Sequence, residues 1–168
     1  RQRRLGRLLS PLLQAMLARA DAIVVSDPTI LESTPALHPH RDRIALIPYG
    51  IALDRWRPRA EDAPAVDALK ARHPILFVAV GRLVGYKGFD VLIEAMAQAP
   101  GHLVIIGEGD ERPRLEALIA ARGLQSRITL LGRQPPQAIR QHLTAATAFV
   151  LPSISAAETF GLVQVEAM

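Results

Sequence analysis

From residue 75 onward, blocks of continuous apolar residues alternate with stretches whose apolar positions recur every three or four residues. "ILFVAV" (75–80), "HLVIIG" (102–107), "ITLLG" (128–132) and "AFVLP" (148–152) are almost wholly apolar, the pattern of strands buried on both faces. Between them "FDVLIEAMAQA" (89–99), "DERPRLEALIAARG" (110–123) and "PQAIRQHLTAA" (136–146) read as helices, with Gly123 placed to end the second. A last helix begins near Gly161. Apolar strands separated by helices predict a parallel sheet covered on both faces, an α/β, Rossmann-like doubly wound domain over 75–168.

The rhythm before residue 75 is less regular. "AIVV" (22–25) is a short strand running into "SDPT", where Asp27 can cap a helix whose first residue is Pro28 and which Pro35 stops early. "IALI" (44–47) is a second strand. Residues 1–53 thus look like the remnant of a similar α/β unit. Residues 54–74 are charged and rich in Pro and Ala, and read as an interdomain connection with one short helix near "AVDALKARH".

The first 19 residues carry Arg1, Arg3, Arg4, Arg7 and Arg19 and no acid, with leucines at steps of three and four. They predict a basic amphipathic helix whose proper start is Pro11, capped by Ser10. Such a stripe either covers a core or rests peripherally on an anionic membrane.

Composition narrows the classes. The chain of 168 residues is 49% hydrophobic but only 4% aromatic, so its core is built from Leu, Ile, Val and Ala. With no cysteine, disulfides and thiolate metal sites are excluded, and a reducing, cytoplasmic setting is the simplest, at the inner face of the membrane if the basic helix binds lipid. No run is long enough to span a bilayer and no signal-peptide pattern is present. The net charge of +4 comes with no groove-reading motif, which argues against nucleic acid as a partner. His38 and His40 lack a third ligand nearby, and His73, His102 and His142 are isolated along the chain, so no metal site is expected.

In an open parallel sheet, ligands bind beyond the carboxyl ends of the strands. Four loops leave those ends. In "GRLVGYKG" (81–88), Gly81, Gly85 and Gly88 allow tight turns, and Arg82 and Lys87 are either the surface cations of a solvated turn or positive charge suited to a phosphorylated ligand. The spacing is neither that of a P-loop nor G-x-G-x-x-G. "GEGDE" (107–111) offers Gly107 and Gly109 for close approach to a ligand around Glu108. "GRQPPQ" (132–137) has no chemistry of its own. In "PSISAAETFGLVQVEAM" (152–168) Glu158 precedes a helix start near Gly161, where free backbone N–H groups favour an anion, and Glu166 follows within about two turns.

Together these stretches resemble the retaining nucleotide-sugar glycosyltransferases of family 4, which have the two-domain GT-B fold. "VGRLVGYKGFDVLIEAM" and "LPSISAAETFGLVQVEAM" resemble the family's two strongest signatures, the second with seven residues between its glutamates, Glu158 and Glu166. "ADAIVVSDPT" and "IALIPYGIALDRWRP" resemble the end of the acceptor-side domain and the crossing to the donor domain.

The resemblance implies roles. Arg82 and Lys87 would hold the donor diphosphate, doing with fixed cations what a magnesium ion does in other transferases, aided by the backbone N–H groups of Phe160, Gly161 and Leu162. Glu166 would accept hydrogen bonds from the ribose, and Glu158 would contact the donor sugar near the reacting carbon. Gly107, Glu108 and Gly109, with Arg133 and Gln134, would lie close to the donor, the last two near the nucleobase. It further implies metal-independent transfer, without a cofactor, to a glycan or lipid-linked acceptor in polysaccharide biosynthesis.

Family members are longer than this chain, which carries little of an acceptor domain, so an inactive fragment or a non-catalytic nucleotide-sugar-binding module is the competing expectation.

Overall fold

A computed structural model describes residues 2–155, 158 and 161–168, with side chains from residue 10 onward. The chain divides into two compact units, 1–50 and 51–168.

In the first unit, helix α1 (Gln2–Arg19) leads to strand β1 (Ile23–Val25), helix α2 (Pro28–Ser33), a 3₁₀ segment (Pro35–Arg43) and strand β2 (Ile44–Leu46). The two strands pair in parallel, Ile23 opposite Ile44 and Val25 opposite Leu46. Asp27 caps α2 as expected, its Oδ1 accepting from the Thr29 N–H at 2.7 Å. The expectation that α1 starts at Pro11 is not met: the helix is continuous through that residue. A proline in mid-helix removes one ladder bond, and here the helix continues on both sides of the gap. Arg43 closes its far end, its Nη1 donating to the carbonyls of Ala18 (3.0 Å) and Ala20 (2.9 Å). A cation there also suits the helix dipole. Among the described side chains of α1, Leu12, Leu13 and Met16 are exposed.

The second unit begins with the short helix α3 (Leu53–Trp56) and α4 (Ala63–Arg72). It continues through β3 (Leu76–Val80), α5 (Phe89–Met96), β4 (His102–Ile106), α6 (Arg112–Ala121), β5 (Ile128–Gly132), α7 (Pro136–Ala145), β6 (Ala148–Phe149) and α8 (Leu162–Ala167). The stretch read as a connection therefore carries two helices of this unit, and α4 packs against α7.

The four strands form one parallel sheet in the order β5-β4-β3-β6. Alternation along the strands fills two cores. Ala79, Leu103 and Ile105 point to one face, where Leu92, Ile93 and Met96 of α5 and Leu115 and Ile119 of α6 close over them. Leu76, Val78, Val104 and Ile106 point to the other, against Val66 of α4 and Ala145 of α7. Burying each of the Val, Leu, Ile and Met side chains among them contributes about 1.5–3 kcal/mol, so the sheet is fixed from both sides. The doubly wound parallel α/β architecture is as the sequence predicts. β6 is shorter than its apolar run: only Ala148 and Phe149 pair, with Phe77 and Val78. Two further backbone bonds flank the pair, from the Thr147 N–H to the Leu76 carbonyl at 2.7 Å and from the Val150 N–H to the Val78 carbonyl at 2.8 Å. Among the described residues no helix is long and apolar enough to cross a membrane.

Candidate functional site

The strand order places a topological switch between β3 and β6. From β3 the chain winds outward through β4 and β5, then returns to the other side of β3 as β6. The loops leaving β3 and β6 therefore diverge from adjacent strand ends and open a crevice between them, the usual ligand position in such sheets.

The loop after β3 is held by its neighbours rather than free. Gly81 donates to the Ile106 carbonyl (3.0 Å) and Leu83 to the Glu108 carbonyl (2.9 Å). The Leu83 side chain is fully buried in the core under α5. A Cβ on Gly107 would stand 1.9 Å from the Gly81 carbonyl oxygen, and one on Gly109 2.2 Å from that of Leu83. The close approach permitted by the two glycines of "GEG" is thus by the backbone of the loop after β3. That contact leaves Arg82 at the surface, above a cavity of about 260 Å³ lined by Gly81, Arg82, Gly107, Glu108, Arg133 and Gln134 together with apolar strand ends.

Five of the sequence-predicted residues meet in that cavity, and its charges are unequal. Glu108 is engaged by Arg112 at 2.8 Å, and the Gln134 side-chain amide donates to the Leu131 carbonyl at 2.9 Å. Among the described residues neither Arg82 nor Arg133 has a carboxylate partner.

Lys87 stands at the end of the same loop, where a 3₁₀ turn (Gly85–Lys87) gives way to α5 through Gly88. Its stem passes over Gly81, whose added Cβ would lie 3.7 Å from both Lys87 Cε and Nζ. Gly81 is therefore the shared border between the Arg82 cavity and Lys87. The Lys87 ammonium pairs with Glu158, on the loop after β6, and Ser153 Oγ donates to the same Glu158 oxygen at 2.7 Å. The two charged side chains are 12% and 18% exposed, enough burial for the pairing to matter. Burial alone raises the Glu158 carboxyl, but the hydrogen bonds from Lys87, Ser153 and the Gly161 N–H outweigh it and hold the group below its ordinary value.

The remaining predicted residues are placed differently. Gly161 precedes α8, and its N–H is the one that serves Glu158; Leu162 opens α8. Phe160 lies outside the described residues. Glu166 does not line the Arg82 cavity. It faces α3, in a separate cavity of about 230 Å³ shared with Leu53, Trp56, Arg57 and Pro58. Burial there raises its carboxyl above the ordinary value, against a smaller opposing effect of Arg55.

Two features escaped the sequence. Ser153 reads as one of several small residues in "PSIS", and only the fold brings it onto Glu158. The other is a buried ion pair between Asp62, just before α4, and Arg140 of α7, at 2.6 Å. Gln141 Nε2 also donates to Asp62 (2.9 Å), and Arg140 Nη1 donates to the Arg55 carbonyl (3.1 Å). That arrangement fixes α3 beside α7. It also holds the Asp62 carboxyl below its ordinary range, the Arg140 hydrogen bond being the main cause.

Comparison with known proteins points the same way. The family model for glycosyl transferases group 1 matches residues 65–168. The D-rhamnosyltransferase WbpZ of Pseudomonas aeruginosa is 31% identical over 166 residues, which is 96% of this chain and 42% of that protein. The structure of sucrose-phosphate synthase from Thermosynechococcus elongatus superposes with a TM-score of 0.80 at 30% identity, covering 96% of this chain and 41% of that one. Anabaena Alr3699/HepE, solved with UDP and glucose, has a TM-score of 0.77 at 21% identity, covering 94% and 46%, and shares the fold. The architecture is that of GT-B glycosyltransferases. The chain spans about two fifths of the length of the curated relative and of the synthase.

Proposed function

Because this chain belongs to the glycosyl transferases group 1 family, we propose that it carries the donor site of a retaining glycosyltransferase. The enzyme moves a sugar from a nucleoside-diphosphate sugar to a glycan or lipid-linked acceptor of polysaccharide biosynthesis. One observation carries the reading: at the topological switch Arg82, which has no carboxylate partner among the described residues, borders, through Gly81, on the Lys87–Glu158 pair. Two cations beside a carboxylate suit a donor that is anionic at its diphosphate and rich in hydroxyls at its sugar.

The chemistry follows from where charge develops. Breaking the bond between the anomeric carbon and the phosphate oxygen leaves negative charge on the nucleoside diphosphate. Arg82 and Lys87, both carried by the loop after β3, favour that charge, Arg82 from its place above the cavity and Lys87 by turning from Glu158 to the phosphate. Electrostatic stabilisation of this kind is usually the largest contribution to catalysis. By the family resemblance the backbone N–H groups of Phe160 and Leu162 add to the cradle, while that of Gly161 serves Glu158. Glu158 accepts hydrogen bonds from the sugar hydroxyls beside the oxocarbenium-like centre, and front-face attack by the acceptor gives retention. With the leaving group held by cations of the chain, the reaction proceeds without a metal or other cofactor. The Gly107–Gly109 loop, Arg133 and Gln134 line the nucleobase end. A ribose role for Glu166 rests on the family resemblance, since its neighbours here are those of α3.

The relatives support the donor class: WbpZ is a D-rhamnosyltransferase, and HepE was solved with UDP and glucose. The test is a screen of the protein in its full natural length against uridine- and guanosine-diphosphate sugars, with the anomeric configuration of the product read by NMR. Transfer with retention supports the proposal; inversion, or no turnover of any donor, overturns it.

A further inference from the structure

We propose that Ser153 is a positioning residue that keeps Glu158 in place while Lys87 is drawn to the donor diphosphate. The inference rests on the donor-site reading above and adds a residue to it.

A single oxygen of Glu158, Oε2, accepts both from the Lys87 ammonium and from the Ser153 hydroxyl. These two partners respond differently to a donor. A diphosphate competes for the cation, because a phosphate is the more highly charged acceptor. It competes far less for a neutral hydroxyl. When Lys87 turns toward phosphate, Glu158 loses its counter-charge at the moment it has to meet the sugar. The bonds that stay with it are those from Ser153 and from the Gly161 N–H.

Ser153 is built for this task by its backbone. On one side, the Pro152 carbonyl packs so tightly on Gly88 that a Cβ there would stand 2.2 Å from the oxygen. On the other, the Ile154 N–H donates to the Tyr86 carbonyl at 3.0 Å. Both contacts are to the turn that carries Lys87. The serine is thus pinned to the lysine's own turn, and its hydroxyl keeps its bearing when the ammonium moves. A group held within a fraction of an ångström by such supports is what precise orientation of a reacting sugar requires.

The experiment compares Ser153→Ala, Ser153→Cys and Ser153→Thr with the wild type, in the full natural length. It measures kcat and KM for the donor, the pH profile of kcat, and the affinity for the sugar-free nucleoside diphosphate. Ser153→Ala is expected to lower kcat about tenfold, the effect of one lost hydrogen bond to a charged group. Affinity for the sugar-free diphosphate stays within about twofold, since that ligand does not meet Glu158. The acidic limb of kcat moves to higher pH, because a hydrogen bond favouring the carboxylate has gone. Ser153→Thr restores both, and Ser153→Cys lies between, which keeps the test decisive if the alanine variant folds poorly. An unchanged kcat and acidic limb in Ser153→Ala overturn the inference alone. So does a loss of kcat that threonine does not rescue and that leaves the limb in place, which marks a structural serine. A wild type that binds no nucleoside diphosphate overturns the donor-site reading and this inference with it.

Discussion

Gly88 and Pro152 are in direct backbone contact: a Cβ on Gly88 would lie 2.2 Å from the Pro152 carbonyl oxygen. Gly88 also has a φ of +66°, so a side chain there is strained as well as obstructed. This contact joins the loop after β3 to the loop after β6 and closes one end of the crevice. Gly88→Ala should therefore cost about 1–2 kcal/mol from conformation alone, more from the clash, and should weaken nucleoside-diphosphate binding. Gly85→Ala is the control, because nothing lies within 4 Å of its added Cβ; it should stay within about 0.5 kcal/mol of wild type. Equal urea midpoints for the two variants would show that the junction is not built this way.

Asp62 and Arg140 form the buried ion pair that ties α4 and α3 to α7. Removing either partner leaves the other charge inside the protein without its counter-ion, a far costlier change than removing both. Asp62→Ala and Arg140→Met should each lower the unfolding midpoint sharply, and the double variant should be less destabilised than the sum of the singles. Urea denaturation of the four proteins measures the coupling. Additive effects would mean that the pair does not act as a unit.

His73 and His102 stack at 4.0 Å, centroid to centroid, near the amino ends of β3 and β4. Burial is the first cause holding both imidazoles below the ordinary value of 6.5; Arg72 and His142 add to it at His73, and the His73 ring, Arg72 and Arg127 add to it at His102. The folded state thus binds fewer protons than the unfolded one just below that value. The stability these residues contribute is complete above pH 6.5 and is lost as pH falls through 6.5 toward their depressed values. The urea midpoint should fall between about pH 7 and pH 5.5, and His102→Gln should flatten the slope. A wild-type midpoint that is level across that range contradicts the assignment.

Much of this was legible in the sequence because burial on both faces forces apolar strands, and helices covering a sheet need a stripe every three or four residues. β3, β4 and β5 and the helices between them follow directly, as does the cap at Asp27. What stayed hidden depends on contacts distant in sequence. Arg140 looks like a solvent-facing helix residue, and only its neighbours Ile139 and Leu143, which pack in the core under α7, hint that its side chain points inward. Asp62 reads as part of a charged linker. The strand order is likewise invisible to periodicity, yet it is the order that sets Lys87 beside Glu158. The glycines of "GEG" were readable as close-approach positions, but not that a backbone loop makes the approach.

Arg82 tests the central claim most directly. Lys87 is tied into the pair with Glu158, so replacing it also strands a half-buried carboxylate, whereas Arg82 is exposed and free of a carboxylate partner among the described residues. The decisive measurement is calorimetric titration of uridine and guanosine diphosphate into wild type and Arg82→Ala, with urea unfolding of each. The account predicts that at least one diphosphate binds the wild type, that Arg82→Ala weakens it about tenfold or more, as loss of a charged hydrogen bond implies, and that the unfolding midpoint does not move. Full affinity retained by Arg82→Ala would contradict it.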